Sequence, residues 1–345
     1  MTYIFKYIVI RKEFKLNEFR VALVPSDCIK LINRGIIVYV EKSNNRCIKD
    51  SEYSIIGCKM IDNIYQLQNP KDEILVVGLK ELDLDDNNIF SYKHMYFSHT
   101  YKNQAGCNNI LEKFKLNNGI IYDMEYFTDD NNKRLFAFGN MAGFIGCYLG
   151  LLQYYNRNSQ NMDLKNLLPY KSSDIIYNNS YIIANYVIQN NIVPKIAVIG
   201  INGNTGNGCI KLLKKLKLEY TGYTRDMSKN DLHKYNIIFN CINIIHYIIP
   251  FITLDTINNF NKMDVIVDIS CDYNNKYNPL PIYNKCSTFA NPIIKVNNID
   301  IIAIENLPSL LPVESSNNFS NKLVDIINNF NYINSWDKVY KLNYK

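Results

Sequence analysis

The segment KIAVIGINGNTGNGCIKLLKKL, residues 195–216, constrains the fold more than any other stretch of the chain. Residues 195–199 form a short apolar run of strand length, and Ile210, Leu212, Leu213 and Leu216 recur on one helix face. Glycines stand between them at 200, 203, 206 and 208. Glycine lets the chain turn sharply from strand to helix and lets its backbone approach a pyrophosphate at the positive end of the helix. The order is GxxGxxGxG, where the common fingerprint is GxGxxG, and a glycine motif gains weight only from correct flanks, which this one has. The following LEYTGYTRD is expected as a second strand, with an acid at its end for the adenine ribose hydroxyls. Asp226 is the candidate and Thr224 competes for the place. NIIFNCI, DVIVDIS and the run near residue 301 continue the series.

The first third of the chain has the same rhythm. YIVIRKE, IIVYVEKS, EILVVGLKE and HMYFSHT read as strands, and SDCIKLINRG reads as a helix closed by Gly35 and capped by Ser26 after Pro25. Strand, helix, strand in succession implies a parallel sheet with right-handed crossovers. Residues 138–156 mix glycine and alanine with large apolar residues at helical spacing, as a packed inter-domain helix would. A chain of 345 residues exceeds the size at which one core usually divides. The expected architecture is α/β, with two Rossmann-like doubly wound parallel-sheet domains and a cleft between them. Residues 1–137 plus 309–345 are expected as a discontinuous catalytic domain and 138–308 as the dinucleotide domain.

The net charge of +6 is spread over 38 basic and 32 acidic residues with no dense basic block, which argues against nucleic acid as the partner. Nine cysteines without a CxxC pair or a Cys/His ligand spacing point to a reducing compartment and no structural metal. The first residues lack a signal-peptide pattern, and no run of 18 uncharged apolar residues suggests a membrane span. A cytoplasmic location is expected.

Two apolar runs each end in a side chain that can carry a proton. ILVVGLKE delivers Lys80, and YFSHT delivers His99. From spacing alone these are either a catalytic pair at neighbouring strand ends or ordinary polar residues where strands stop.

Several ordered stretches decide between the two. RKEFKLNEFRVALVP (11–25), VVGLKEL (76–82), FSHTYKNQAG (97–106), IYDMEY (121–126), FGNMAGFIG (138–146), IGINGNTGNG (199–208), VDIS (267–270), NPLPIY (278–283) and LPSLLPVESS (307–316) keep order and spacing over nearly the whole chain. Together they resemble the NAD-dependent, L-lysine-forming saccharopine dehydrogenases, which close the aminoadipate route of lysine biosynthesis. A more distant likeness joins these enzymes to alanine dehydrogenase and to the nicotinamide-binding subunit of transhydrogenase.

The resemblance implies oxidation of the secondary amine of saccharopine by NAD, then hydrolysis of the imine to L-lysine and 2-oxoglutarate. One group must take the amine proton and another must activate water. By the family motif Lys80 takes the first role and His99 the second, with Glu81 and Glu125 tuning the base. Arg20, Lys15 and Arg134 match positions that would face the three substrate carboxylates, since a guanidinium can hold a carboxylate with two parallel hydrogen bonds. Gly203, Asn204, Thr205 and Gly206 should line the pyrophosphate turn, Thr224 and Asp226 the adenine ribose, and Glu305 and Leu307 the nicotinamide. The family habit is a monomer. The chain departs from the pattern at Glu305 and Asn306, where Asp and His are usual, and at Thr224, where the ribose acid is usual. The second departure weakens the case for strict NAD preference. A related amino-acid dehydrogenase, acting on alanine or condensing lysine with 2-oxoglutarate, is the alternative. His94, His233 and His246 receive no role, and Cys209 and Cys241 are expected as inert buried thiols.

Overall fold

The computed structural model describes residues 5–100, 106–242, 244, 246–271 and 273–328. Residues 101–105 of the FSHTYKNQAG stretch lie outside them. The chain divides into two compact units, Met1–Ala137 with Pro312–Lys345, and Phe138–Leu311.

In chain order the first unit opens with β1 (Tyr7–Ile10), α1 (Pro25–Ile32), β2 (Ile37–Glu41), α2 (Asp50–Ile55), β3 (Lys59–Ile61), β4 (Ile74–Val77), β5 (Lys93–Tyr96), α3 (Cys107–Leu116) and β6 (Ile120–Asp123). The second unit holds α4 (Gly139–Asn158), α5 (Ser173–Gln189), β7 (Ile196–Ile199), α6 (Asn204–Leu216), β8 (Thr221–Tyr223), β9 (Ile237–Asn240), β10 (Val265–Asp268), β11 (Ile294–Val296) and β12 (Ile299–Ile302). The chain then returns to the first unit as α7 (Pro312–Asn328).

The first sheet runs β3-β2-β1-β4-β5-β6. Every pairing in it is parallel. Strand β4, Ile-Leu-Val-Val, is buried along its whole length, as a parallel strand covered on both faces must be. Helix α7 is tied to the N-terminal segment by hydroxyls. Ser316 Oγ accepts the Val21 N–H at 2.9 Å, and Ser320 Oγ accepts that of Val24 at 2.9 Å while donating to Asp27. The cap of α1 differs from expectation. Val24 is the N-cap and Pro25 the first helical residue, so Ser26 lies inside the first turn. Proline arrives with a helical φ and no N–H to satisfy, which moves the start back by two residues.

The second sheet runs β11-β12-β10-β9-β7-β8, parallel except for β11 against β12. Helix α4, read from sequence as an inter-domain helix, packs on α5, α6, β9 and β10 of its own unit. Its glycines explain how. A Cβ on Gly143 would run into the Thr205 carbonyl, and one on Gly208 of α6 into the Asn140 carbonyl, so the two helices meet backbone to backbone. In each sheet one strand, β1 or β7, has neighbours reached by crossovers in opposite directions. The crevice outside the carboxyl ends of the strands at such a point is where α/β sheets bind ligands.

No helix among the described residues is long and apolar enough to cross a membrane. Among the same residues no group of three or more His, Cys, Asp or Glu could hold a metal ion.

Candidate active site

Lys80 leaves the carboxyl end of β4 through Gly78 and Leu79, and its backbone is held from two directions. Glu13 accepts the N–H of Leu79 at 2.7 Å and that of Lys80 at 2.9 Å. Arg11, buried beside Gly78, bonds the Lys80 carbonyl and pairs with Glu13 at 3.1 Å. A Cβ on Gly78 would collide with the Arg11 guanidinium, so glycine is what lets the arginine lie against the strand end. Main-chain bonds join this turn to the next strand, from Gly78 N to Met95 O at 3.1 Å and from Phe97 N to Leu79 O at 3.3 Å.

Among the described residues no hydrogen bond holds Lys80 Nζ. Burial lowers its pKa from the ordinary lysine value, and the positive charges of Arg20 and Lys15 lower it further, against the carboxylates of Glu18 and Glu81. The result favours a neutral amine more than an exposed lysine does. Arg20 is buried and gives Glu18 a two-point contact, 2.7 Å from Nε and 2.5 Å from Nη2. Burial would raise the Glu18 carboxyl, yet Arg20 and then Lys80 carry it below the usual range. Lys15 pairs with Glu81 at 3.3 Å. The guanidinium expected to meet substrate is thus already engaged with Glu18.

His99 follows β5 by three residues and has a left-handed backbone, φ 55°. Its Nδ1 lies 3.2 Å from Glu125 Oε1, within ion-pair distance though not aligned as a hydrogen bond. Arg134 reaches the same oxygen at 3.1 Å, and its guanidinium stands 5.5 Å from the Phe97 ring centroid. Phe97 stacks on His99 with 21° between the planes. Glu125 was expected beside the lysine, but the structure sets it against His99. The reason is register: β6 lies next to β5, with Asp123 opposite Tyr96, so Glu125, two residues beyond the β6 end, lies beside the β5 loop. His94 is a core residue, its Nε2 2.8 Å from the Ile89 carbonyl and its pKa lowered by burial to about 3.

In the second unit Gly200 has φ 89° at the end of β7, and Gly203 caps the 13-residue α6. A Cβ on Gly206 would strike the Gly200 carbonyl, whereas one on Gly203 would meet only that oxygen, at 3.4 Å. The first glycine is needed for packing, and the second leaves open space at a helix N-terminus, where a pyrophosphate fits. Asn204 is exposed and Thr205 half-buried on the same turn. Thr224 directly follows β8, with Asp226 exposed two residues on, and Lys229 Nζ donates to the carbonyls of Thr224 and Arg225 at 2.8 and 2.9 Å. Glu305 is exposed, with an oxygen 3.6 Å from Cys286 Sγ. Leu307 is buried against α4 near Gly146, so any cofactor contact it makes is through its main chain. Residues 9–145 match the model of the alanine dehydrogenase/PNT N-terminal domain, and 175–342 that of the C-terminal domain. A saccharopine dehydrogenase (NAD(+), L-lysine-forming) of Candida glabrata is 34% identical over 332 residues, covering 91% of this chain and 89% of its own. One of Schizosaccharomyces pombe is 34% identical over 337 residues, covering 92% and 91%.

The chain belongs to the saccharopine dehydrogenase family. As a dehydrogenase of the alanine dehydrogenase/PNT group it works with a nicotinamide cofactor. Among solved structures an L-alanine dehydrogenase superposes with a TM-score of 0.69 at 14% identity, covering 93% of this chain and 88% of that one. A transhydrogenase from Sinorhizobium meliloti gives 0.68 at 13%, covering 95% and 96%. At that identity these two establish the fold and nothing finer.

The sequence singled out Lys80, His99, Glu81, Glu125 and Arg134, which the structure gathers at the carboxyl ends of β4, β5 and β6. It passed over Arg11, Glu13, Glu18 and Asp123. The first three lie inside the quoted stretch RKEFKLNEFR, where an unusual density of charge beside a buried strand was the available signal.

Proposed function

We propose that this chain is an NAD-dependent saccharopine dehydrogenase that oxidises saccharopine and releases L-lysine and 2-oxoglutarate. The observation that carries the reading is Lys80, an amine of lowered proton affinity with no hydrogen bond to its Nζ among the described residues, after the strand next to β5, which leads to His99, with β6 leading to Glu125 beyond it. The bound nicotinamide supplies the hydride acceptor.

Neutral Lys80 takes the proton from the substrate nitrogen, so its lone pair can form the C=N bond as hydride leaves the adjacent carbon. The new ammonium is stabilised by Glu18 and Glu81. His99 then takes a proton from the water that adds to the imine carbon, with Glu125 Oε1 3.2 Å from its Nδ1. The His99 imidazolium returns its proton to the nitrogen and then takes the proton of the carbinolamine hydroxyl as C=O forms and the carbon–nitrogen bond breaks, giving the lysine amine and the keto acid. Lys15 and Arg134 are the proposed carboxylate contacts, both partly exposed. Gly203, Asn204, Thr205 and Gly206 would cradle the pyrophosphate, and Thr224 and Asp226 would meet the ribose. An NAD preference rests on Asp226, whose charge disfavours a 2'-phosphate. A cytoplasmic monomer is the proposed form.

The test follows NADH absorbance with NAD and saccharopine for the wild type, Lys80→Met and His99→Gln. Turnover in the wild type and losses of about 10²- to 10⁴-fold in the variants are expected. No turnover with saccharopine, with activity on pyruvate and ammonia instead, would reject the assignment.

A further inference from the structure

We propose that Asp123 is a positioning residue that fixes His99 against Glu125 by bonding to both of their loops. Strands β5 and β6 are parallel neighbours, with Tyr96 opposite Asp123 at their carboxyl ends. Asp123 is fully buried, and its two oxygens serve different segments. Oδ1 accepts the N–H of Glu125 at 3.0 Å, which caps the short turn Met124–Tyr126 and aims the Glu125 side chain. Oδ2 accepts the hydroxyl of Ser98 at 2.7 Å. Thr100 Oγ1 lies 2.9 Å from Ser98 Oγ. Because the Ser98 proton is spent on Asp123, Thr100 donates to Ser98.

The chain of bonds therefore takes hold on both sides of His99, at residues 98 and 100, and ends on Glu125. That matters because His99 is left-handed, a conformation that is costly for a non-glycine residue and persists only where the surroundings impose it. Ser98 and Thr100 are buried, so their hydroxyls have no water to turn to. Burial raises the Asp123 carboxyl, while the Glu125 N–H and the Ser98 hydroxyl act to keep it ionised. An ionised Asp123 only accepts, which fixes the direction of every bond in the chain. Other charged groups around the pair are Arg134, on Glu125, and His99 itself.

The kinetic arm of the test rests on the saccharopine reading, but the spectroscopic arm does not. Ring-nitrogen NMR shifts of His99 would be recorded in the wild type, Ser98→Ala, Ser98→Thr and Asp123→Asn, with buried His94 as the internal reference. Movement of the His99 signals in Ser98→Ala and Asp123→Asn, with His94 unmoved and the wild-type signals kept in Ser98→Thr, is expected. In turnover, kcat should fall about tenfold in Ser98→Ala and about a hundredfold in Asp123→Asn, with KM for saccharopine within about threefold. In a His99→Gln background Ser98→Ala should cost less than about twofold, because the residue it positions is gone. Unmoved His99 signals, or an equal kcat loss with and without His99, would overturn the proposal. Should Asp123→Asn fail to fold, Ser98→Ala decides alone, since it removes a single hydroxyl. A wild type inert towards saccharopine would refute the functional reading and leave the NMR result to judge the positioning role.

Discussion

Glu13 holds the main-chain N–H of Lys80 with one carboxylate oxygen at 2.9 Å and that of Leu79 with the other at 2.7 Å. Its side chain and that of its partner Arg11 are 7% and 1% exposed, so neither can exchange the other for water. Glu13→Ala would strand a buried guanidinium and two N–H groups. A loss of about 3–5 kcal/mol of stability is expected by urea unfolding, together with loss of turnover. Unchanged stability would mean that the clamp is not what holds this strand end.

The charges around Lys80 make the pH profile testable in both directions. If neutral Lys80 is the base, kcat/KM rises as pH rises through its lowered pKa. Glu18→Gln removes a carboxylate that raises this pKa, so the rising limb should move to lower pH. Lys15→Met removes a cation that lowers it, so the limb should move to higher pH. Initial rates across pH decide, and shifts of the opposite signs would remove Lys80 from the base role.

His94 bears on stability. Burial lowers its pKa from 6.5 to about 3, so the unfolded chain binds the extra proton between those values and stability falls as pH drops through that window. The full effect is about 5 kcal/mol by pH 3. His94→Leu should be less stable at neutral pH, since the Ile89 carbonyl loses its partner, and flatter in acid. Denaturant midpoints at several pH values would show an unchanged acid slope if another group is responsible.

The glycines of the dinucleotide turn separate packing from binding. Gly206→Ala places a methyl on the Gly200 carbonyl and should lower both stability and NADH affinity. Gly203→Ala meets only that carbonyl, at 3.4 Å, and should weaken NADH binding, read by fluorescence, with little change in melting temperature. Equal thermal damage in both would contradict this division.

Much of this was legible in the sequence, for identifiable reasons. Apolar runs such as residues 74–77 and 196–199 have no solvent face to disguise them, and the glycine turn between β7 and α6 is a local signal. The edge strands β3 and β11 were missed because each is three residues long and mostly unburied, so neither shows as an apolar run. Lys80 and His99 were found as strand ends. Their supports were not, because Glu13 meets Lys80 across 67 positions of sequence and Asp123 meets Ser98 across 25. Contacts of that range depend on strand order, and β1 beside β4 is a fact of topology rather than of spacing.

Lys80, His99 and Glu125 leave three successive strands of one parallel sheet, each from its own loop. The strands beneath act as fixed mounts, so changing the loop after β4 re-aims Lys80 alone, whereas the loops after β5 and β6, joined through Asp123, re-aim His99 and Glu125 together. Such an edge can exchange its substrate by changes in loops alone, with the buried sheet and its hydrophobic faces left as they are.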